Sequence, residues 1–418
     1  MANNSTTPFP CSQHKITDGP YLEQTNENIF KTIFMPSFIF TVVMFLIGGI
    51  GNALVFYIYF AKWRKTTARI FILALAGFDL INCFLTMPME LAVLKYIIKF
   101  DSGITCKLFR YTTFMMNNGS SVILAGIAVD RYIRICMPLR PQLRTKHAKI
   151  VVVIALILSV VFAWPALVLY GTQSVFIPVP SNIGICIVGK TCLYEMSYLH
   201  TDYPLIFTLV LLIGNVIIDT GLITCYMLIG YQVVKRGNAI DPGSSIKMRK
   251  ASTSTVTTDD DHLKAGVNEI LPLNSPENSV DVNDKCEDRD MAGKSKRKLV
   301  KQTSVSKKRD VFRQRSLSIS SIEARKSQMY KTTFMLFMVT ILFMTSFIPY
   351  CVIVIIRALN KSHYDSLSST GKAIYNLFLR TYMLSSSLNP IIYCFMSVQF
   401  RQKIKETFNE VTRYFRRN

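Results

Sequence analysis

The sequence predicts an all-α membrane protein: a seven-transmembrane helix bundle followed by a short amphipathic eighth helix. Three observations carry that expectation. Half of the 418 residues are hydrophobic and only 18% are charged, a balance that favours a membrane protein over several soluble domains. Apolar runs of roughly 20 or more residues recur, each long enough to cross a ~30 Å hydrocarbon core as a helix. Alternating strand patterns are absent from those runs, so helices must satisfy the backbone in lipid.

The runs fall at about 33–60, 69–97, 104–136, 147–170, 203–234, 327–358 and 371–396. They divide the chain into an N-terminal segment (1–32), spans one to five (33–235), a third loop (236–326), spans six and seven (327–396) and a C-terminal helix and tail (397–418). The first segment, opening MANNSTTPFP, is polar and shows no basic region followed by an apolar core. No cleavable signal peptide is expected, and span one should direct insertion.

Lys62, Arg64, Lys65 and Arg69 follow span one, and Arg134, Arg140, Arg144, Lys146 and Lys149 lie at or after the end of span three. Both loops therefore read as cytoplasmic, with the N terminus extracellular. The tail carries Arg401, Lys403, Lys405, Arg413, Arg416 and Arg417, as expected for a C terminus inside. Much of the formal charge of +22 then belongs to a face beside anionic lipid, and nucleic acid is not an expected partner.

The third loop is rich in Ser, Thr, Lys, Arg, Asp and Asn, without apolar periodicity, and reads as largely disordered. Its ends, VVKRGN and IEARKSQMYK, should continue spans five and six as helical stubs. Ser252 and Ser316 follow basic residues in the pattern of basophilic kinases, a pattern that also arises by chance. Beyond span seven, SVQFRQKIKETFNEVTRYF has helical spacing suited to the membrane surface, and no cysteine follows it to carry a lipid anchor.

Cys11, Cys106, Cys186 and Cys192 fall on the outer side, where disulfides persist. Four cysteines allow three complete pairings. A bridge from Cys106 to the loop before span five would brace the outer mouth, with Cys192 the preferred partner and Cys11 with Cys186 a second candidate pair. Within that loop, SVFIPVPSNIGICIVGKTCLYE suggests a hairpin. Asn3, Asn4 and Asn360 are exposed glycosylation sequons; Asn118 also fits the pattern but lies inside span three.

Asp79, deep in span two, requires partners because an ionised carboxylate is costly in the membrane. Asn52, Ser120, Ser385 and Asn389 are candidates, and Asp79, Ser120, Ser385 and Asn389 could hold a sodium ion. A purely structural hydrogen-bond network is the alternative. No other cofactor is expected. Arg131, at the inner edge of span three, can pair with Asp130 or with groups uncovered by helix movement.

Gly51-Asn52 with Val55, the LALAGFDL run, Cys106, Asp130-Arg131-Tyr132, Pro138-Leu139, Trp164, Pro349 and Asn389-Pro390-Ile391-Ile392-Tyr393 occur in fixed order through the spans. In that ordered set the chain resembles the rhodopsin-like G-protein-coupled receptors. The resemblance implies that Asp130, Arg131, Tyr132, Pro138, Leu139, Tyr226, Asn389, Pro390 and Tyr393 serve activation and G-protein coupling. Tyr226 and Tyr393 would approach Arg131 as helix six swings outward. Phe343, Phe347 and Pro349 would form the switch in span six, although ordinary packing explains either ring equally. Receptor kinases, arrestin and membrane lipids are further implied partners. Phe347 stands where the family usually has tryptophan, Ile218 where span five usually has proline, and Met329 where some members place an acid; raised basal activity is one consequence.

Thr113 replaces the aspartate of amine receptors and Met383 the lysine of visual pigments, so the resemblance argues against amines and retinal. Arg110, Arg357 and Arg380 lie toward the outer ends of their spans and could converge on an acidic ligand, with Glu90 and Lys95 beside them. Snorkelling to the headgroups is the alternative for each arginine. With Thr113 and Met383 these form the candidate pocket, and a hairpin lid over mixed charges fits a neuropeptide. An acidic small molecule or nucleotide is the alternative ligand. A secondary transporter would need two related halves and broken helices, and an enzyme a metal or nucleophile constellation; neither is evident.

Overall fold

The structure, a computed structural model, describes residues 13–15, 19–178, 185–240, 327–357, 359–360 and 362–417. The chain divides into two units, Met1–Asn238 with Ser327–Asn418, and Ala239–Lys326; nearly all described residues belong to the first. Asn3, Asn4, Cys11, Ser252, Ser316 and most of the expected third loop lie outside the described residues.

Among the described residues, five helices are long and apolar enough to cross a membrane: α1 (Gly19–Lys62), α2 (Thr67–Lys95), α4 (Thr145–Leu169), α5 (Tyr203–Ile240, apolar over Tyr203–Arg236) and α6 (Ser327–Arg357). The other two crossings fall short for physical reasons. Helix α3 (Gly103–Cys136) is 34 residues long but carries Arg, Thr, Asn, Ser and Asp on the side turned into the bundle. The seventh span is split into α7 (Ser369–Phe378) and α8 (Met383–Met396). Between them the bonds tighten, Arg380 N to Leu377 O at 3.0 Å and Met383 N to Arg380 O at 3.0 Å, as in a 3₁₀ turn.

Several boundaries differ from the sequence expectation. Helix α1 begins at Gly19, well before residue 33. It passes through a wide turn at Phe30–Phe34 just before Pro36, and α2 does the same at Asn82–Thr86 before Pro88. Proline lacks an N–H, and wider turns absorb the missing bond. The expected span at 147–170 runs one residue too far, because Tyr170 opens a strand. Side-chain oxygens cap several helices: Thr66 accepts from Arg69 N at 3.2 Å, Ser102 from Thr105 N at 3.3 Å, Ser368 from Gly371 N at 3.2 Å and Ser397 from Phe400 N at 3.2 Å.

Small residues set the tightest approaches. A Cβ on Gly51 would lie 2.7 Å from the Pro390 ring, and one on Gly119 would lie 2.4 Å from the Phe78 ring. Ile150, Val153 and Ile157 on α4, and Ile213, Ile217 and Met227 on α5, are exposed. That outward apolar surface suits hydrocarbon rather than water.

Strands β2 (Tyr170–Pro178) and β3 (Ile185–Tyr194) form the expected hairpin, in register from Tyr170↔Tyr194 to Pro178↔Cys186. A third strand, β1 (Gln13–Lys15), pairs parallel with the other edge of β3, giving the order β1-β3-β2. Cys106 and Cys192 form a disulfide, Cα atoms 5.5 Å apart, tying the start of α3 to β3. Cys186 is also disulfide-bonded. Its suggested partner, Cys11, lies outside the described residues. Asn360 is exposed.

The last helix, α9 (Val398–Arg417), packs one edge on the bundle. Phe400 is buried against Tyr59 and Tyr393, with centroids 5.8 and 6.3 Å away. Arg401 Nη1 donates to Cys394 O and Phe395 O at 3.0 and 2.7 Å, satisfying carbonyls at the end of α8. Val398, Phe408 and Val411 are exposed, the apolar side of an amphipathic helix.

Candidate functional site

Three polar clusters lie one above another between the hairpin end of the bundle and the Arg131 end. The middle one surrounds Asp79, which is 1% exposed. Asn389 Nδ2 donates to Asp79 Oδ2 at 2.9 Å. Asn52 Nδ2 donates to Gly48 O at 3.0 Å and Ser386 O at 2.7 Å, and Asn82 Nδ2 to Ser386 Oγ at 2.9 Å. The serine interacting with Asp79 is Ser386, not Ser385, whose hydroxyl donates to Tyr382 O at 2.7 Å. The 3₁₀ turn before α8 shifts which serine faces α2. Ser120 is buried beside the cluster's level in α3. The Oδ1 atoms of Asn52, Asn82 and Asn389 are buried without partners.

At the far end Asp130 and Arg131 form a buried ion pair. Asp130 is also held by Arg134 Nε, 3.1 Å from each carboxylate oxygen, and by the Thr67 hydroxyl at 3.4 Å. Arg134 Nη2 donates to Thr67 Oγ1 and Leu143 O at 2.9 and 3.3 Å. Tyr226 and Tyr393 do not engage Arg131 here. The Thr340 hydroxyl donates to Tyr226 OH at 3.3 Å, and Tyr393 OH is buried without a partner. Arg131 Nε is likewise unpartnered. Tyr132 packs against the core edge, and Pro138 and Leu139 form a turn after α3 in which Leu139 is fully exposed. Met329 leaves no carboxylate at the foot of α6 to hold Arg131; both it and Ile218 pack against the core.

Aromatic rings connect this region to the hairpin end. Phe343 and Phe347 lie 4.7 Å apart, and Phe347 lies 6.1 Å from Tyr382 in the broken seventh span. Tyr350, one residue beyond Pro349, is 5.8 Å from Tyr382. Pro349 sits within unbroken α6, so its missing N–H leaves a carbonyl free one turn earlier.

The hairpin-end cluster departs from the expected convergence of three arginines. Arg380 is committed to Glu90: Nε and Nη2 both lie 2.7 Å from Oε1, and Nη1 donates to Asn376 O at 2.6 Å. Such a buried pair satisfies both charges at once, and losing one partner costs about 3–5 kcal/mol. Arg357 is exposed. Met383 is wholly buried in the core and offers no surface to a ligand. Thr113 is buried, its hydroxyl spent on Phe109 O at 2.8 Å. Lys95 turns to α1, bonded to Glu27 at 2.6 Å and lying 4.5 Å from the Phe30 ring centre. Arg110 stacks over Phe109 and Tyr170, 4.6 and 5.6 Å from their centroids, with Nε buried and unpartnered.

Sequence reasoning missed Arg134, Thr67, Asn82 and Ser386, which complete these clusters. Helical spacing offered a signal for one, since Arg134 is four residues after Asp130. Asp219 was also missed. It lies within α5 with Oδ1 buried and unpartnered.

A membrane helix bundle with a saturated ion lock at one end, a buried carboxylate at mid-depth and a disulfide-braced hairpin over the other has the parts of a signalling receptor. A family model described as 7 transmembrane receptor (rhodopsin family) matches residues 51–393, and the chain belongs to that family. It is a multi-pass plasma-membrane receptor that signals through G protein, not an enzyme. The Cavia porcellus cholecystokinin receptor type A is 29% identical over 386 residues, covering 88% of this chain and 79% of that protein. Cephalotocin receptor 1 of Octopus vulgaris is 29% identical over 234 residues, 54% of this chain and 55% of that receptor. The Mustela putorius furo growth hormone secretagogue receptor type 1 is 30% identical over 137 residues, 32% and 37% of the two chains.

Proposed function

We propose that the hairpin end faces outward and takes a neuropeptide, and that the Arg131 end faces the cytosol and takes a G protein. The observation that carries the ligand reading is the roof. A three-stranded sheet, braced by Cys106–Cys192 and edged by the chain's own N-terminal strand, stands beside a cluster of charged and aromatic side chains. An extended peptide uses both backbone edges and such pockets. The relatives named for cholecystokinin and cephalotocin support this reading.

The mechanism is a population shift. Ligand and G protein both favour the state in which the foot of α6 has moved outward, so each strengthens the other's binding. Arg131 would exchange Asp130 for Tyr226 and Tyr393. Tyr226 must then release Thr340, and Tyr393 already has a free hydroxyl. Leu139 gives the G protein an apolar contact, and the basic face recruits anionic lipid. Receptor kinases and arrestin would follow on the same face, and glycans would sit on Asn3, Asn4 and Asn360.

The donors around Asp79 fit a sodium ion. The carboxylate supplies the charge, and the unpartnered Asn389 Oδ1 and the Ser120 and Ser386 hydroxyls can supply oxygens; the ion would hold α2, α3 and α8 in the resting arrangement. The test is GTP exchange on reconstituted G protein against a peptide library. Peptide-dependent exchange is expected, and substrate uptake or turnover without exchange would sink the proposal. The unpaired Arg110 favours an acidic small molecule as the second reading.

A further inference from the structure

Three arginines inside this bundle come with carboxylates: Arg131 and Arg134 with Asp130, Arg380 with Glu90. Arg110 is different. Among the described residues it has no ion pair and no hydrogen bond; its contacts are the faces of Phe109 and Tyr170. Ring faces attract a cation but leave its in-plane donors without acceptors. Its Nε is shut off from solvent without a partner, while the side chain as a whole is partly exposed.

The neighbours show why no internal partner arrives. Glu90 is close enough to act on Arg110 electrostatically, yet its Oε1 already takes two Arg380 nitrogens at 2.7 Å. Arg380 is fixed in turn by the carbonyl of Asn376 at 2.6 Å. Glu90 is thus held toward Arg380 and forms no ion pair with Arg110 among the described residues. Tyr170, Tyr350 and Tyr382 also act on Arg110, and they bring aromatic faces and hydroxyls around it. A planar fork of donors between aromatic walls matches a carboxylate on an aromatic or apolar residue.

We infer that Arg110 is an anion subsite that pairs with a carboxylate carried by the ligand, the C-terminal carboxylate or an acidic side chain of a peptide. The inference rests on the peptide-receptor reading above and deepens it by assigning the ligand's charge. Glu90 and Arg380 have a separate part: as a closed pair they keep Glu90 from occupying the subsite. An inorganic anion such as chloride shares the chemistry, and the experiment separates the two sources.

Purified full-length receptor in detergent micelles is unfolded thermally with sodium HEPES as the only salt. Three probes are added separately: N-acetylphenylalanine, its uncharged amide, and chloride. The carboxylate should raise the midpoint by about 2 °C or more at saturating concentration, and the amide should leave it unchanged. Arg110→Gln should abolish the rise, and Arg110→Lys should keep part of it, showing that the altered site still folds.

An equal rise with Arg110→Gln overturns the inference, as does no rise in the unmodified protein. If chloride gives the full rise and the carboxylate adds nothing in its presence, Arg110 holds an inorganic ion and the ligand assignment fails. Peptide-driven GTP exchange is scored separately. An Arg110-dependent rise with no peptide response would leave the subsite standing and remove the peptide reading.

Discussion

The two buried acids at the core of this receptor, Asp130 and Asp79, are treated in opposite ways. Asp130 is surrounded by donors: Arg131, Arg134 and Thr67 all reach it. Among the described residues Asp79 has no charged partner, only the Asn389 amide and the Ser386 hydroxyl, with three unpartnered amide oxygens in the surrounding network. A saturated acid is a lock on its own helix, because Arg131 and Arg134 on α3 occupy its oxygens and Thr67 ties it to α2. An unsaturated one is a receptacle, because burial without enough donors is costly until something enters. The same contrast recurs among the cations, with Arg380 saturated and Arg110 not.

Breaking the lock should have the largest effect. Arg131→Ala should abolish GTP exchange while surface expression persists, and normal exchange would refute the role given to Arg131. Asp130→Asn keeps the shape but frees both arginines; it should raise ligand-independent exchange about tenfold and lower thermal stability. Unchanged basal exchange would show that the ion pair does not hold the resting state. Glu90→Gln should strand Arg380 and destabilise the protein by about 3 kcal/mol, read by thermal unfolding against the double variant Glu90→Gln/Arg380→Gln, which should recover much of the loss.

Emptying the receptacle should be milder. Asp79→Asn should remove any dependence of agonist affinity on sodium and change thermal stability by about 1 kcal/mol or less. Retained sodium dependence would place the ion elsewhere. Smallest is the exposed clamp of α1 on α2. Glu27 lies below the ordinary glutamate value of 4.5, first because Lys95 donates to it. A lowered folded value means that the clamp's contribution is present above that value and is lost as pH falls through the lowered one. Hydrogen exchange at the start of α1 should quicken, beyond its intrinsic pH dependence, only once pH falls below the ordinary glutamate value of 4.5, and Lys95→Met should flatten the response.

Much of the architecture was legible because membrane burial writes itself into composition. Twenty apolar residues in a row have few other fates, although the wide turns before Pro36 and Pro88 were not among the expectations. The grouping of Asp79 with Asn52 and Asn389 matches their juxtaposition, since polar residues at mid-depth must seek one another. Ser386 in place of Ser385 was not legible, because a short 3₁₀ turn advances the face by one residue. Nor was the capture of Arg380 by Glu90, across 290 residues.

By itself the sequence determined the class of the fold, the order of the spans, the hairpin and the inventory of charges that the membrane would force inward. Those follow from one-dimensional quantities: length, hydropathy and residue type. Only the tertiary structure decided which charges would be matched. Pairing depends on helix rotation and depth, and a shift of one residue moves a side chain by about 100° around its axis. So the arrangement of helices left Asp130 closed, Asp79 open and Arg110 waiting for a partner that the described residues do not supply.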